Sequence, residues 1–75
     1  MFAIAISYTE YEEKVEDVDF VVNNSIYIYS DINTDEVIIF QPSEKLLNWL
    51  KEKDVVFRWI DEEEVEKILT RISNI

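Results

Sequence analysis

Residues 54–75 read DVVFRWIDEEEVEKILTRISNI, and two periods within them set the architecture. Val55, Phe57 and Trp59 alternate with Val56, Arg58 and Ile60, the period of a strand; Val65, Ile68, Leu69 and Ile72 then recur at the spacing of one helix face. Asp61 stands at the boundary as a helix N-cap, Glu64 three residues on completes a capping box, and Ile60 is placed to staple onto Val65. Such a strand-helix unit needs a sheet beside it and a further element over it, so the rest of the chain is expected to supply both.

Working outward, Pro42 and Ser43 open a second helix with Ser43 as N-cap. Leu46, Leu47 and Leu50 share one face with Trp49 beside them, and Glu44, Asn48 and Lys51 lie opposite, the helix ending near Lys53. The unit from Val37 to Trp59 is long enough for a right-handed crossover, which sets the last strand parallel to an earlier one. Upstream, Val18 to Val22 and Ser25 to Ser30 flank Asn23 and Asn24, residues that tolerate the positive φ of a two-residue hairpin turn. After the polar loop Asp31 to Asp35 comes the β-rich run Val37 to Phe40, so residues 18–40 read as a meander whose last two strands pair.

At the N-terminus Phe2, Ile4 and Ile6 alternate with Ala3, Ala5 and Ser7, a strand with one bulky face and one small face that allows close packing. Residues 9–17 stay open between a short helix, capped by Thr9 with Glu12, and a charged loop or irregular strand edge. The expected fold class is α+β: one domain over residues 1–75, with a mainly antiparallel sheet of about five strands and two helices on one face, in the order β-(α?)-β-β-β-α-β-α. Trp49 and Trp59 both fall on apolar faces and are expected in the core.

Seventy-five residues support one small core, and 48% hydrophobic residues with ten aromatics are enough to fold one, unlike a disordered acidic tail. There is no cysteine, so disulfides and thiolate metal sites are excluded. With no histidine either, nucleophilic triads and histidine-containing metal sites cannot be built. The absence of glycine, where average usage gives about five, excludes Gly-rich phosphate loops. No acid lies in an apolar context that would raise its pKa for acid catalysis, so the expectation is a protein that is not an enzyme and carries no cofactor or metal. Asp31, Asn33 and Asp35 have the spacing that opens an EF-hand loop. The glycine position is Glu36, however, and the closing glutamate position is Pro42, so the segment reads as a hairpin loop. The apolar start has no basic n-region and no run of transmembrane length, which leads us to expect a cytoplasmic protein.

The net charge is −10, and it is concentrated. Glu10, Glu12, Glu13, Glu16, Asp17 and Asp19 are opposed only by Lys14; Asp61, Glu62, Glu63, Glu64 and Glu66 are opposed by no base. The remaining six acids and six bases cancel. Such a surface repels nucleic acid and anionic membrane and is steered toward basic protein surfaces. Acids in a first helical turn are also explained by the helix dipole, each worth about 0.3–1 kcal/mol, and by solubility, so their position alone does not require a partner.

In size and charge, the chain with its runs Glu10 to Glu13 and Asp61 to Glu64 resembles the small acidic inhibitors encoded by phages and other viruses. These include DNA-mimicking anti-restriction and anti-CRISPR proteins, with acidic bacterial immunity proteins a neighbouring class. The resemblance involves no motif and carries over no functional residue. It implies a binding module that blocks a basic, nucleic-acid-binding site on a larger protein, in the host cytoplasm if the chain is viral. The partner-facing residues would be Glu10, Glu12, Glu13, Glu16, Asp17, Asp19, Asp61, Glu62, Glu63 and Glu66. The alternative is a structural or adaptor subunit that assembles, with a second copy or another protein, through a sheet edge and the face of Tyr27 and Tyr29, its acids serving only solubility.

Overall fold

The computed structural model describes residues 1–74; Ile75, the last residue of the stretch quoted above, lies outside it. In chain order the elements are β1 (Ala3–Ser7), α1 (Tyr8–Lys14), α2 (Val18–Asn23), β2 (Tyr27–Asp31), β3 (Glu36–Phe40), α3 (Glu44–Glu52), β4 (Arg58–Ile60) and α4 (Glu62–Ser73). The strands form one sheet in the order β2-β3-β1-β4, every neighbouring pair antiparallel. The α+β class is as expected, with four strands among the described residues rather than five.

β1 is flanked by β3 and β4, with Ile4 opposite both Ile39 and Trp59, while β2 adds to the outside of β3 with Tyr29 opposite Ile38. β2 therefore runs parallel to β1 with β3 between them, and β4 parallel to β3 with β1 between them. The expected parallel direction of the last strand is thus present, and the hairpin of β2 with β3 is the expected pairing. Two interleaved crossovers of this kind are the split β-α-β, or ferredoxin-like, arrangement, extended here by α4. Topology of this sort hosts many unrelated activities and points to none.

The crossover from β1 to β2 explains why residues 18–22 are helix α2 and not a strand. Two parallel strands cannot be joined by a hairpin, so the connection must leave the sheet and return over it. Asp17 accepts the Phe20 N–H at 3.0 Å as N-cap, and at the other end Asn24 Nδ2 and Ser25 Oγ donate to the carbonyls of Phe20 and Val21. Asn23 and Asn24 finish a helix instead of turning a hairpin. The open segment 9–17 resolves into α1 and a short turn, capped by Ser7, whose hydroxyl accepts the Glu10 N–H at 3.2 Å, and not by Thr9.

Helices cover both faces of the sheet, a second departure from the expected one-sided packing. Ile4, Ile6, Val37 and Ile39 on one face meet Val15, Val21, Leu46 and Leu50 from the region of α1, α2 and α3. Ala3, Ala5, Ile38 and Phe40 on the other meet Val65 and Ile68 of α4. The alanines of β1 are the reason α4 can approach: a side chain of one carbon holds the central strand close to the helix. Burial of Ile4, Ile6, Ile39, Leu46 and Leu50 contributes about 1.5–3 kcal/mol for each side chain.

Without glycine, the left-handed backbone positions fall to Asp35, Gln41 and Asp54, at φ 56°, 51° and 56°. Asp54 closes α3: its N–H donates to the Lys51 carbonyl and that of Val55 to the Leu50 carbonyl, a Schellman motif in which Val55 and Leu50 also share the core. At the start of α4, Asp61 Oδ1 accepts the Glu64 N–H at 2.8 Å, and Ile60 and Val65 lie in one apolar cluster as the staple requires. The return half of the box is absent because the Glu64 carboxylate is bonded to Arg58.

Candidate functional site

The two acidic clusters lie on opposite sides of the sheet. Glu10, Glu12, Glu13, Glu16, Asp17 and Asp19 belong to α1, α2 and the turn between them, over the face of Ile4 and Ile39; Asp61, Glu62, Glu63 and Glu66 belong to the start of α4, over the face of Ala3 and Ala5. They do not form one continuous carboxylate surface.

Half of these ten side chains are already engaged within the fold. Glu10 Oε2 accepts the Val56 N–H at 2.7 Å and pairs with Lys14 at 3.1 Å, and the backbone bond first, then the lysine, pull its pKa below the usual glutamate value. Glu12 Oε1 accepts the Tyr8 hydroxyl at 3.1 Å, which holds the phenol pKa above its ordinary value. Asp17 and Asp61 are caps, and Glu63 stands 3.6 Å from Lys67. Among the described residues Glu13, Glu16, Asp19, Glu62 and Glu66 have no side-chain hydrogen bond or ion pair and are exposed. Of the ten candidates, these five are free to meet a partner.

Arginines fasten α4 to the sheet, a role that sequence reading missed. Arg58 of β4 bridges Glu36 of β3 and Glu64 of α4, each at 2.9 Å, and the hydrogen bonds it donates to Glu36 first and then to Glu64 hold its pKa well above the ordinary arginine value. The same guanidinium lowers the Glu36 pKa. At the other end of α4, Arg71 Nη2 donates at 3.0 Å to Asp31 Oδ2, and Asp31 is the one buried charged residue among those described. The Asp31 loop is therefore occupied: Oδ1 accepts the Asn33 N–H at 3.0 Å, and the carboxylate turns toward Arg71. No group of three or more potential metal-ligating side chains gathers among the described residues. In the sequence Glu64 reads as the closing residue of the capping box and as a member of the acidic run, not as the partner of an arginine. A signal for its pairing exists at Arg58, the lone base between Asp54 and Glu66.

The tyrosine face is only partly open. With α4 covering that side, Tyr29 is half-buried against its apolar stripe, and only Tyr27 stays exposed, at 48%, its ring tilted against that of Phe40 at a centroid distance of 6.0 Å. The surprise is at the other edge. Trp59, expected in the core, is 57% exposed on β4, tilted against Phe2 at 5.8 Å and meeting Phe57 edge-on at 5.9 Å. Trp59 shares a face with Ile4, but the helices on that face lie toward β1 and β3 and leave the outer strand uncovered. Trp49 does pack, half-buried, against Phe20 at 5.0 Å. Among the described residues no helix is long and apolar enough to cross a membrane. Comparison of the chain with protein-family models, with curated proteins and with solved structures returned no match.

Proposed function

We propose that this chain is a small acidic protein-binding inhibitor that occupies a basic, nucleic-acid-binding site on a larger protein in the cytoplasm, that of the host if the chain is viral, without catalysing a reaction. The observation that carries the reading is the set of exposed carboxylates, Glu13, Glu16, Asp19, Glu62 and Glu66, on α1, α2, the turn between them and α4, that have no partner among the described residues. Keeping like charges unneutralised on a chain of −10 costs self-repulsion, which a basic partner would relieve. DNA presents about one charge per 1.7 Å of axis, so a groove shaped for it also accepts closely spaced carboxylates.

The placement of the clusters sharpens the test. One flat basic site meets one face of this sheet, so reversal at one cluster should matter far more than at the other. Glu62→Lys with Glu66→Lys, and separately Glu13→Lys with Glu16→Lys, alter exposed side chains that make no hydrogen bond or ion pair among the described residues. Against the partner recovered by affinity capture, one pair is expected to weaken binding at least about a hundredfold at low salt, with the loss shrinking as salt rises. If both variants bind as the parent does, the acidic surface is not the interface.

Exposed Trp59 on β4 and Tyr27 on β2, both on outer strands, support a second reading in which the chain is an adaptor that assembles through its sheet edges. That association would persist at high salt and fail with Trp59→Ser or Tyr27→Ser.

A further inference from the structure

Between α1, the start of α2 and the outer strand β2 lies an open groove of about 370 Å³. Tyr8 and Tyr11 line it from α1, Val18 from α2, and Ile28 and Ser30 from β2. Glu12 lines it too, its Oε1 fixed by the Tyr8 hydroxyl while Oε2 has no partner among the described residues. β2 is paired on one side only, so its other row of backbone donors and acceptors is open to an added strand.

We infer that this groove takes an arginine or lysine side chain from an extended basic segment of a partner protein that adds along the free edge of β2; the inference rests on the reading of the acidic surface as a binding face. The chemistry of the walls matches such a side chain from stem to tip. Valine, isoleucine and the tyrosine rings cover the methylene stem, the ring faces attract the cation, and Oε2 of Glu12 pairs with it. The geometry of a strand supplies the rest. Side chains of an added strand alternate in direction, so those on the side of Ile28 and Ser30 enter the groove, while their neighbours fall beside Tyr27 on the opposite face.

Charge selects this occupant over two others. A second copy of the chain would bring another −10 against the same acids. A neutral apolar segment would cover the Glu12 carboxylate without giving it a counterion, which is unfavourable.

The test is a titration of the isotope-labelled full chain, followed by amide NMR shifts, with a short peptide of alternating arginine and threonine and with the same peptide carrying uncharged citrulline for arginine. The expected result is saturable binding with shifts centred on Tyr8, Tyr11, Glu12, Ile28 and Ser30, and slowed amide exchange along β2. Citrulline should weaken it about tenfold or more, and Glu12→Gln about fivefold, as for a charge-assisted contact that is only partly shielded from water. If the arginine peptide instead shifts only the start of α4 and is indifferent to Glu12→Gln, the groove is not the site although the acidic reading stands. If neither peptide binds anywhere at low salt, the groove and the acidic reading fall together. If the unliganded chain shows the same shifts on concentration alone, the groove is an interface between copies and the proposal is overturned.

Discussion

Arg71→Met tests whether the buried carboxylate of Asp31 fastens the end of α4 to the sheet. Asp31 is 1% exposed, and its two oxygens accept the Asn33 N–H and the Arg71 guanidinium, each at 3.0 Å. Methionine keeps an apolar stem of similar reach and removes the donor. Breaking a fully buried pair typically costs about 3–5 kcal/mol, because one charge is left without a partner. Two features reduce that here: the Asn33 N–H remains, and Arg71 is 40% exposed, so water can reach the vacated place. We expect a loss of about 2 kcal/mol, which in a domain of this size lowers Tm by roughly 8–16 °C. Adding Asp31→Asn removes the stranded charge but keeps an oxygen for Asn33, so the double variant should be more stable than Arg71→Met alone. Urea melts followed by circular dichroism give all four corners of the cycle. A loss below about 0.5 kcal/mol for Arg71→Met, or costs that simply add, would refute the argument that this pair holds α4 down.

Asp61→Ala should cost about 0.5–2 kcal/mol in the same melts, since it frees the Glu64 N–H, while Glu66→Ala on the outer surface should change little; equal losses would remove the capping argument. Acid should destabilise the fold through Glu36. Arg58 depresses its folded pKa, so its contribution is complete above the ordinary value of 4.5 and is lost as pH falls from there through the lower folded value. Glu36→Gln should therefore lower stability at neutral pH and flatten the slope of stability below about pH 4.5, and an unchanged slope would show that the bridge is not formed. Acrylamide should quench Trp59 readily and Trp49 weakly, so Trp59→Phe should leave a blue-shifted, protected emission; the reverse pattern would place Trp59 in the core after all.

What was legible in the sequence is what local chemistry decides. Ser43 and Asp61 cap the helices assigned to them, the alternation of Ala3 and Ala5 with Ile4 and Ile6 gives the small and bulky faces of β1, and residues 25–40 fold as a hairpin. The error at Val18 to Val22 has a physical origin. Five residues rich in valine fit a strand by propensity, and that preference spans only about 1 kcal/mol, whereas the crossover from β1 to parallel β2 demands a segment that leaves the sheet. The two-sided packing did have a sequence signal. Val37, Ile38, Ile39 and Phe40 are four apolar residues without alternation, the mark of a strand buried on both faces, and all four are buried. Ser7 with Glu10 likewise has the spacing of a capping box, two residues earlier than Thr9.

The site was less legible than the fold, because a carboxylate's role depends on what the fold brings to it. Glu10 finds the Val56 N–H across 46 positions of sequence, and Glu36 finds Arg58 across 22, pairings that no local pattern encodes. Composition gave the charge correctly but could not divide it into acids that hold the molecule together and acids that face outward. Once divided, the exposed set is spread over two faces joined only through the sheet, and the groove beside Glu12 sits on the face carrying α1 and α2. A partner with one basic site would then read that face first, where apolar walls, a fixed carboxylate and an open strand edge coincide, while the acids of α4 act at longer range, steering the encounter more than sealing it.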